Sequence, residues 1–451
     1  MQTLKALPIW VICLCVMGLA ACAPMIQYYP QMNALILQQD YSAALELHRK
    51  NKPSFGKRNE VLYYLDEGLL AHFAGRYAES NESFFAAERL MEDLYTRSVS
   101  QEAASFLIND NTRSYRGEDF EAALVNMFLA LNYVGMGQWE DALVEARKVD
   151  SKLTAFNVQY PAGKKNVYRE DAFIRFVMGL LYEAAGEKND AFISFRQAEQ
   201  IYRRDYRGNY GVSAPDMVIE KLLESARDMG FTSEMREIRN AYPYISRRKL
   251  PNTSDAAEVY LIDYNGRGAE KVERFFYIPM PDRYVLKFAY PEFERRSFSA
   301  AGCRIHLKNI QTGRQYFART VLAEDLSSIA IVNLKNRIGR IQAKAVARVT
   351  AKYLLAKEAE KEALKKKDQN MARIYRLTFQ TFMLAFENAD IRHWRLLPAQ
   401  IQVARVVVPG GDYECVIQVL DRNGNPINTR SAASISIHNG EKKLIPLRTM
   451  E

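Results

Sequence analysis

Histidine is scarce in this chain of 451 residues: there are five, His48, His72, His306, His393 and His438. None belongs to an HExxH pair or stands at metal-ligand spacing from another, so no zinc site is expected. No G-x-S-x-G elbow and no P-loop occurs either, which sets aside the usual signatures of serine hydrolases and nucleotide-phosphate cradles. Gly266-Arg267-Gly268 reads as a hairpin turn rather than a phosphate cradle. Carboxylates are plentiful, and nothing singles out one pair for acid–base work. No catalytic residue, metal or cofactor is therefore expected, and the chain is not read as an enzyme. Long apolar runs are missing as well. The run near the N-terminus, Leu7 to Gly18, is short for a membrane span. Cysteine is sparse: Cys13, Cys15 and Cys22 lie at the N-terminus, leaving Cys303 and Cys415 in the body of the chain.

What is present begins with an address. Lys5 supplies a basic start, the apolar run follows, and Leu19-Ala20-Ala21-Cys22 closes it. These residues resemble the bacterial lipobox. That resemblance implies a signal peptide over residues 1–21, cleavage before Cys22 and lipidation of its sulfur and new amino group. Three acyl chains exceed the two-signal threshold for stable anchoring. Residues 22–30 then form a lipidated tether. The sorting rule of enteric lipoproteins places an aspartate after the cysteine for inner-membrane retention. Here Ala23 stands instead, which implies the outer membrane with the protein facing the periplasm. The chain carries a formal charge of +9, of which only Lys5 leaves with the signal. In an exported protein that surplus points to anionic lipid or a cell-wall polymer and away from nucleic acid.

Residues 31–242 read as helices in pairs. Val61 to Leu94 makes one unit of 34 residues, with Gly68 and Ala71 on the first helix, a turn at Gly75-Arg76-Tyr77, and Ser80, Phe84 and Ala87 on the second. Ala130, Tyr133, Gly137, Trp139, Ala142 and Ala146 repeat the spacing, as do Gly179, Tyr182, Gly186, Ala191, Phe195 and Ala198. This is the tetratricopeptide pattern. Gln39 to Leu47 looks like half of a degenerate first repeat. The array is irregular: an extra amphipathic helix is expected over Val99 to Ile108, and an exposed loop over Tyr160 to Asn166. Pro215 opens a closing helix pair turned at Gly230. The repeat register puts Leu62, Leu65, Leu69, Phe73, Leu124, Met127, Leu131, Phe173, Phe176 and Leu180 on the concave wall. A wall that apolar needs cover. Either an intrachain helix fills it, or it captures a protein or peptide partner.

A linker over 243–256 leads to a β-rich region, 257–451, with a helical insertion at 323–388. Strands are expected at Glu258 to Tyr264, Lys271 to Pro279, Tyr284 to Tyr290, Cys303 to Asn309, Gln400 to Val408, Tyr413 to Leu420, Ser434 to His438 and Lys443 to Leu447. Both strand groups should build one sandwich-like domain around the helical pair, Ala323 to Lys367 and Met371 to Asn388. Within it, Cys303 and Cys415 form either a disulfide, which the periplasm permits, or two buried thiols. Arg337, Arg340, Lys344, Arg348 and Lys352 share one helix face. That stripe is either an anion-binding surface or is paired with carboxylates inside the protein. In the segment Asn388 to Pro398, Trp394 is expected to plug the sandwich.

The lipobox, the irregular repeats, the Ala/Lys/Arg-rich helix and Ala389-Asp390-x-Arg392-x-Trp394-Arg395-x-Leu397-Pro398 together resemble a family of Gram-negative tetratricopeptide-repeat lipoproteins. The likeness covers nearly the whole chain. It implies an α+β architecture: an all-α irregular tetratricopeptide array, then a β-sandwich-like domain with an inserted long helical pair. The expected role is a protein–protein interaction scaffold in envelope assembly or cell-wall maintenance. The alternative is an envelope polymer-binding protein or enzyme working through the C-terminal β domain.

Overall fold

The computed structural model describes residues 28–101, 111, 113–159, 167–246, 256–365 and 368–451. The signal, Cys22, the Tyr160 to Asn166 loop and most of the Val99 to Ile108 helix lie outside the described residues. The expected tether ends earlier than Pro30. Tyr28 and Tyr29 are buried, and the first helix, α1 (Tyr29–Leu37), starts there with Pro30 in its first turn, where a missing N–H costs nothing. Then come α2 (Tyr41–Lys50), α3 (Glu60–Phe73), α4 (Tyr77–Gln101), α5 (Asp119–Gly135), α6 (Trp139–Gln159), α7 (Ala172–Ala184), α8 (Lys188–Ile201), and the closing pair α9 (Asp216–Asp228) and α10 (Thr232–Ala241).

The small-residue positions do what their spacing requires. A Cβ on Gly68 would lie 2.7 Å from the Phe84 ring, and one on Gly179 would lie 2.4 Å from the Phe195 ring. In these two repeats an aromatic ring from the second helix therefore sits directly on the backbone of the first. Among the described residues no helix is long and apolar enough to cross a membrane.

Among the described residues the C-terminal half contains ten strands. β1 (Ala257–Asn265), β6 (Val321–Glu324), β7 (Gln400–Val408) and β10 (Lys442–Thr449) form one sheet in the order β10-β1-β7-β6, with β1 and β10 parallel. β4 (Gly302–Asn309), β5 (Gln315–Arg319), β8 (Gly411–Leu420) and β9 (Pro426–Ile437) form a second, antiparallel sheet, β5-β4-β8-β9. The sheets face each other across Val259, Leu261, Ala404 and Val406 on one side and Ile305, Leu307, Ile417 and Val419 on the other. Residues before and after the helical insertion thus share both sheets. Strands β5 and β6 and the first half of β9 were not legible as strands. β6 replaces the expected start of the long helix, because Asp325 caps that helix by accepting the Ser328 N–H at 2.7 Å.

β2 (Glu270–Pro279) and β3 (Val285–Glu294) form a separate two-stranded sheet. Gly266 to Gly268 is therefore not a hairpin turn. β1 pairs with β7 and β10, and the chain leaves that sheet at Gly266 while the Gly268 N–H donates to the Leu397 carbonyl at 2.8 Å. The long helix α11 (Leu326–Lys365) and α12 (Gln369–Phe386) fold back on one another. With β3 they enclose a small core of Tyr284, Leu286, Phe288, Val349, Tyr353 and Met383. At 1.5 Å per residue, the 40 residues of α11 span about 60 Å, so this unit projects as an arm.

Cys303 and Cys415 are both buried and unbridged. Cys303 is paired with Val419 and Cys415 with Leu307, four positions along adjacent strands. That is about 13 Å of strand, whereas a disulfide needs Cα atoms within about 7 Å. Burial pushes both thiols up, Cys415 to about 11, so neither is a ready nucleophile. Protein starting at Ala23 and denatured without reductant should titrate two thiols per chain. A count near zero would show a bridge.

Candidate functional site

The expected concave wall is not an open groove. Leu62, Leu65, Leu69, Leu124, Met127, Leu131, Phe173, Phe176 and Leu180 are buried, and Phe73 is half-buried. The cover comes from the chain itself: the outer face of the first sheet, joined in the same core by Leu326, Ile329, Ala330 and Leu334 at the start of the inserted helix α11. β1 is buried along its whole length. Val259 and Leu261 point into the sandwich, while Tyr260, Ile262 and Tyr264 join the core of the array. Tyr264 meets His72, Phe73 and Phe128 with ring centroids 5.3 to 5.8 Å apart, and Tyr260 meets Phe176 at 6.3 Å. A strand with apolar side chains on both faces is what a doubly covered sheet demands.

Three polar arrangements lock this seam. The first joins Glu183 of α7 and Lys221 and Glu224 of α9 to Glu258, Arg405 and Lys442 of the sheet. Burial opposes ionisation of Glu258, but the charges of Arg405, Lys221 and Lys442 overcome it and hold its carboxyl well below the ordinary range.

The second is a pair of fully buried carboxyl groups. Asp171 caps α7, accepting the Ile174 N–H at 2.8 Å and the Tyr168 hydroxyl at 2.5 Å, and hydrogen-bonds Glu324 at the end of β6. A π-turn at Tyr202–Tyr206 brings Tyr206 within 3.2 Å of Glu324. Burial raises both carboxyl pKa values, and for Glu324 the proximity of Asp171 adds to the shift.

The third surrounds Glu118 and Glu121 at the start of α5. Glu118 binds Lys271 at 2.8 Å and also Arg337. Glu121 accepts the Trp394 backbone N–H at 2.8 Å and the Tyr115 hydroxyl at 2.5 Å. Burial and then the Glu118 charge push Glu121 up to about 7.

Trp394 lies beside this cluster, 2% exposed, edge-on to Phe84 and Phe128 at 5.9 Å. It plugs the array rather than the sandwich, as first expected, because the 389–398 segment runs along the array side of the sheet.

The basic stripe is likewise absorbed. Arg337 is spent on Glu118, and Arg348 and Lys352 both grip Glu387 of the arm, Arg348 Nε at 2.8 Å and Lys352 Nζ at 2.9 Å. Arg340 and Lys344 also take part in interactions. As an anion-binding surface the stripe is therefore largely withdrawn. Its charges are the internal partners of two carboxylates far away in sequence.

Open surface remains on the outer face of the second sheet. A shallow concavity of about 590 Å³ is lined by Arg304, His306, Phe317, Arg319, Val416 and Gln418, and Phe317 is 73% exposed. No carboxylate lines it. Among the described residues no three His, Cys, Asp or Glu side chains are grouped as metal ligands. Sequence reasoning missed the Glu258 cluster, the Asp171–Glu324 pair and this concavity. The one available signal was Glu258 and Asp263 inside an otherwise apolar strand.

No family model matches the sequence, and no curated protein matches it. Among solved structures the chain is similar to BtubC from P. vanneervenii, at 14% identity and a TM-score of 0.33, over 49% of this chain and 80% of that one. It is similar to MamA at 12% identity and a TM-score of 0.30, over 48% and 94%. A putative kinesin light chain from Podosopora anserina, with nearly identical TPR-like repeats, gives 15% and 0.32, over 49% and 94%. These are likenesses of fold.

Proposed function

We propose that this protein is a lipid-anchored scaffold of the cell envelope, held to the outer membrane through Cys22 and facing the periplasm. In this reading the tetratricopeptide-like array is a frame that grips the β-sandwich, and the sandwich presents its outer sheet to a protein partner. One observation carries the reading: the concave wall that such arrays would offer is occupied by the molecule's own sheet. Partner contact is then left to surfaces that the seam does not use, and the Phe317 concavity is one of these. Apolar and aromatic anchors flanked by arginine are the residue types that dominate protein contact sites. A polymer-binding role is the second reading, favoured by Arg304 and Arg319 beside an exposed ring in a cleft without carboxylates.

Photo-reactive residues placed at Phe317, Leu69 and Phe176 in living cells test this. Phe317 should capture one dominant envelope component, and the two groove positions should crosslink only within the chain. Capture of a separate protein from Leu69 or Phe176 would overturn the frame reading. Attachment of carbohydrate-containing material at Phe317 would select the polymer reading. Intact mass of the chain made in its host should show three acyl chains on Cys22; an unmodified Cys22 would remove the anchor.

A further inference from the structure

The arm carries most of the molecule's charge. Residues 326–388 hold thirteen lysines and arginines against five carboxylates, a surplus of eight out of nine for the whole chain. The arm also holds a concentration of exposed apolar side chains. On α11, Leu354, Lys357, Lys361, Leu364 and Lys365 follow at helical spacing on one face, and all five are exposed. Leu354 and Leu364 are 57% and 51% exposed.

The lysines of this face lean on surface carboxylates of their own arm, Lys365 on Glu362 at 2.6 Å and Lys357 on Asp282 at 2.9 Å. Exposed pairs of that kind are weak and exchange readily for another anion.

We infer that the arm lies on an anionic bilayer surface, its leucines entering the headgroup layer and its lysines meeting lipid phosphate. Charge decides between this and a second copy of the chain. Two arms brought together would each carry the same surplus, whereas an anionic surface is attracted by it. Leucine interleaved with lysine on one helix face is the pattern of a helix lying in an interface rather than crossing it.

Position agrees. The described chain begins at the arm's root, where Arg395 stacks over Tyr29 at 5.5 Å and pairs with Glu270, the first residue of β2, at 2.9 Å. Six positions separate Cys22 from Tyr28, a reach of at most about 20 Å. The inference rests on the lipid-anchor reading for this placement and for which membrane is met.

Flotation of the chain starting at Ala23, which has no acyl anchor, tests the arm alone. It should float with vesicles of equal parts phosphatidylglycerol and phosphatidylcholine, and not with phosphatidylcholine alone. Binding should weaken about tenfold between ~50 and ~300 mM salt. Leu354→Glu with Leu364→Glu, and separately Lys361→Glu with Lys365→Glu, should each weaken it about tenfold while leaving the circular-dichroism melt unchanged. No flotation on the anionic vesicles, equal flotation on both kinds, or wild-type binding by both variants would overturn the inference. A doubled mass in sedimentation that the leucine variant abolishes would overturn it in favour of a contact between copies. Failure of the anchor reading shows separately, as an unmodified Cys22 in the intact mass.

Discussion

Glu258→Ala should cost about 3–5 kcal/mol of unfolding free energy, among the largest losses available to a single polar substitution here. Glu258 is 2% exposed. It accepts from Lys442 at 2.8 Å, Arg405 Nε at 2.6 Å, Tyr260 at 2.9 Å and Lys221 at 3.4 Å. The surrounding cluster sets Glu183, Glu224 and Glu258, with Glu220 at 3.9 Å from Arg405, against Lys221, Arg405 and Lys442. Without Glu258, Lys221 and Arg405 stay buried at 0% and 4% side-chain exposure and lose the most buried anion they share, and buried charge that loses a partner dominates such losses.

The full chain starting at Ala23, unfolded in urea and followed by tryptophan emission, reads this directly, since Trp394 is buried in the same seam. A loss below about 1 kcal/mol would mean that apolar contact alone docks the sheet. Lys442→Ala in the Glu258→Ala background should cost much less than in the wild type, because the two side chains share one network.

The pH dependence follows with a definite sign. The folded-state pKa of Glu258 is depressed, so its contribution is fully present above about 4.5. It is lost only as the pH falls toward the folded value, in strong acid. Glu121, raised to about 7, acts in the opposite direction: its folded state keeps a proton that the unfolded chain releases near 4.5, so its contribution declines as pH rises from there to about 7. Glu121→Gln should therefore flatten the decline of stability between pH 5 and 7 and leave the strong-acid limb intact.

The elements that sequence made legible are those whose cause is local. Gly68 and Gly179 stand 16 positions before Phe84 and Phe195, and that repeat distance by itself requires a ring on a bare backbone. The alternation in Tyr413 to Leu420 likewise marks a strand with one face in a core. What stayed hidden depends on which distant segments meet. The stripe on α11 looks like a free basic face until Glu118, 219 positions before Arg337, is placed against it. The groove looks open until β1 is seen to be apolar on both sides, one face for each neighbour. The Cys303–Cys415 alternatives could be decided only by strand register, which composition does not contain. The Phe317 concavity was missed for a related reason: β5 is five residues long and its meaning comes from the sheet it joins.

Trp394→Ala should cost about 3–5 kcal/mol, the range for deleting a large buried aromatic side chain. The indole fills the space between Phe84 of α4 and Phe128 of α5, so truncation removes contacts to two helices at once, and neither ring can follow because each also packs within the array. The segment on either side is tied down: the Trp394 N–H binds Glu121, and Arg392 reaches the Arg113 carbonyl at 2.8 Å. The cavity should therefore persist rather than collapse. Trp394→Phe should lose far less, because the indole N–H is buried without a hydrogen-bond partner among the described residues, and replacing it by an apolar edge relieves a desolvated donor.

Urea unfolding followed by circular dichroism gives the magnitude, and amide exchange shows where it falls: α3, α4 and α5 should lose protection together with β1. A loss under about 1 kcal/mol, or loosening confined to 389–398, would show that the tryptophan does not hold the seam. The same variant separates a frame from a gated receptor. If the array serves only to hold the sandwich, a photo-reactive residue at Leu69 in the Trp394→Ala chain should still find no specific partner. If loosening the plug lets one protein be captured there, the sheet is a stopper in a working groove, and the array is the receptor after all.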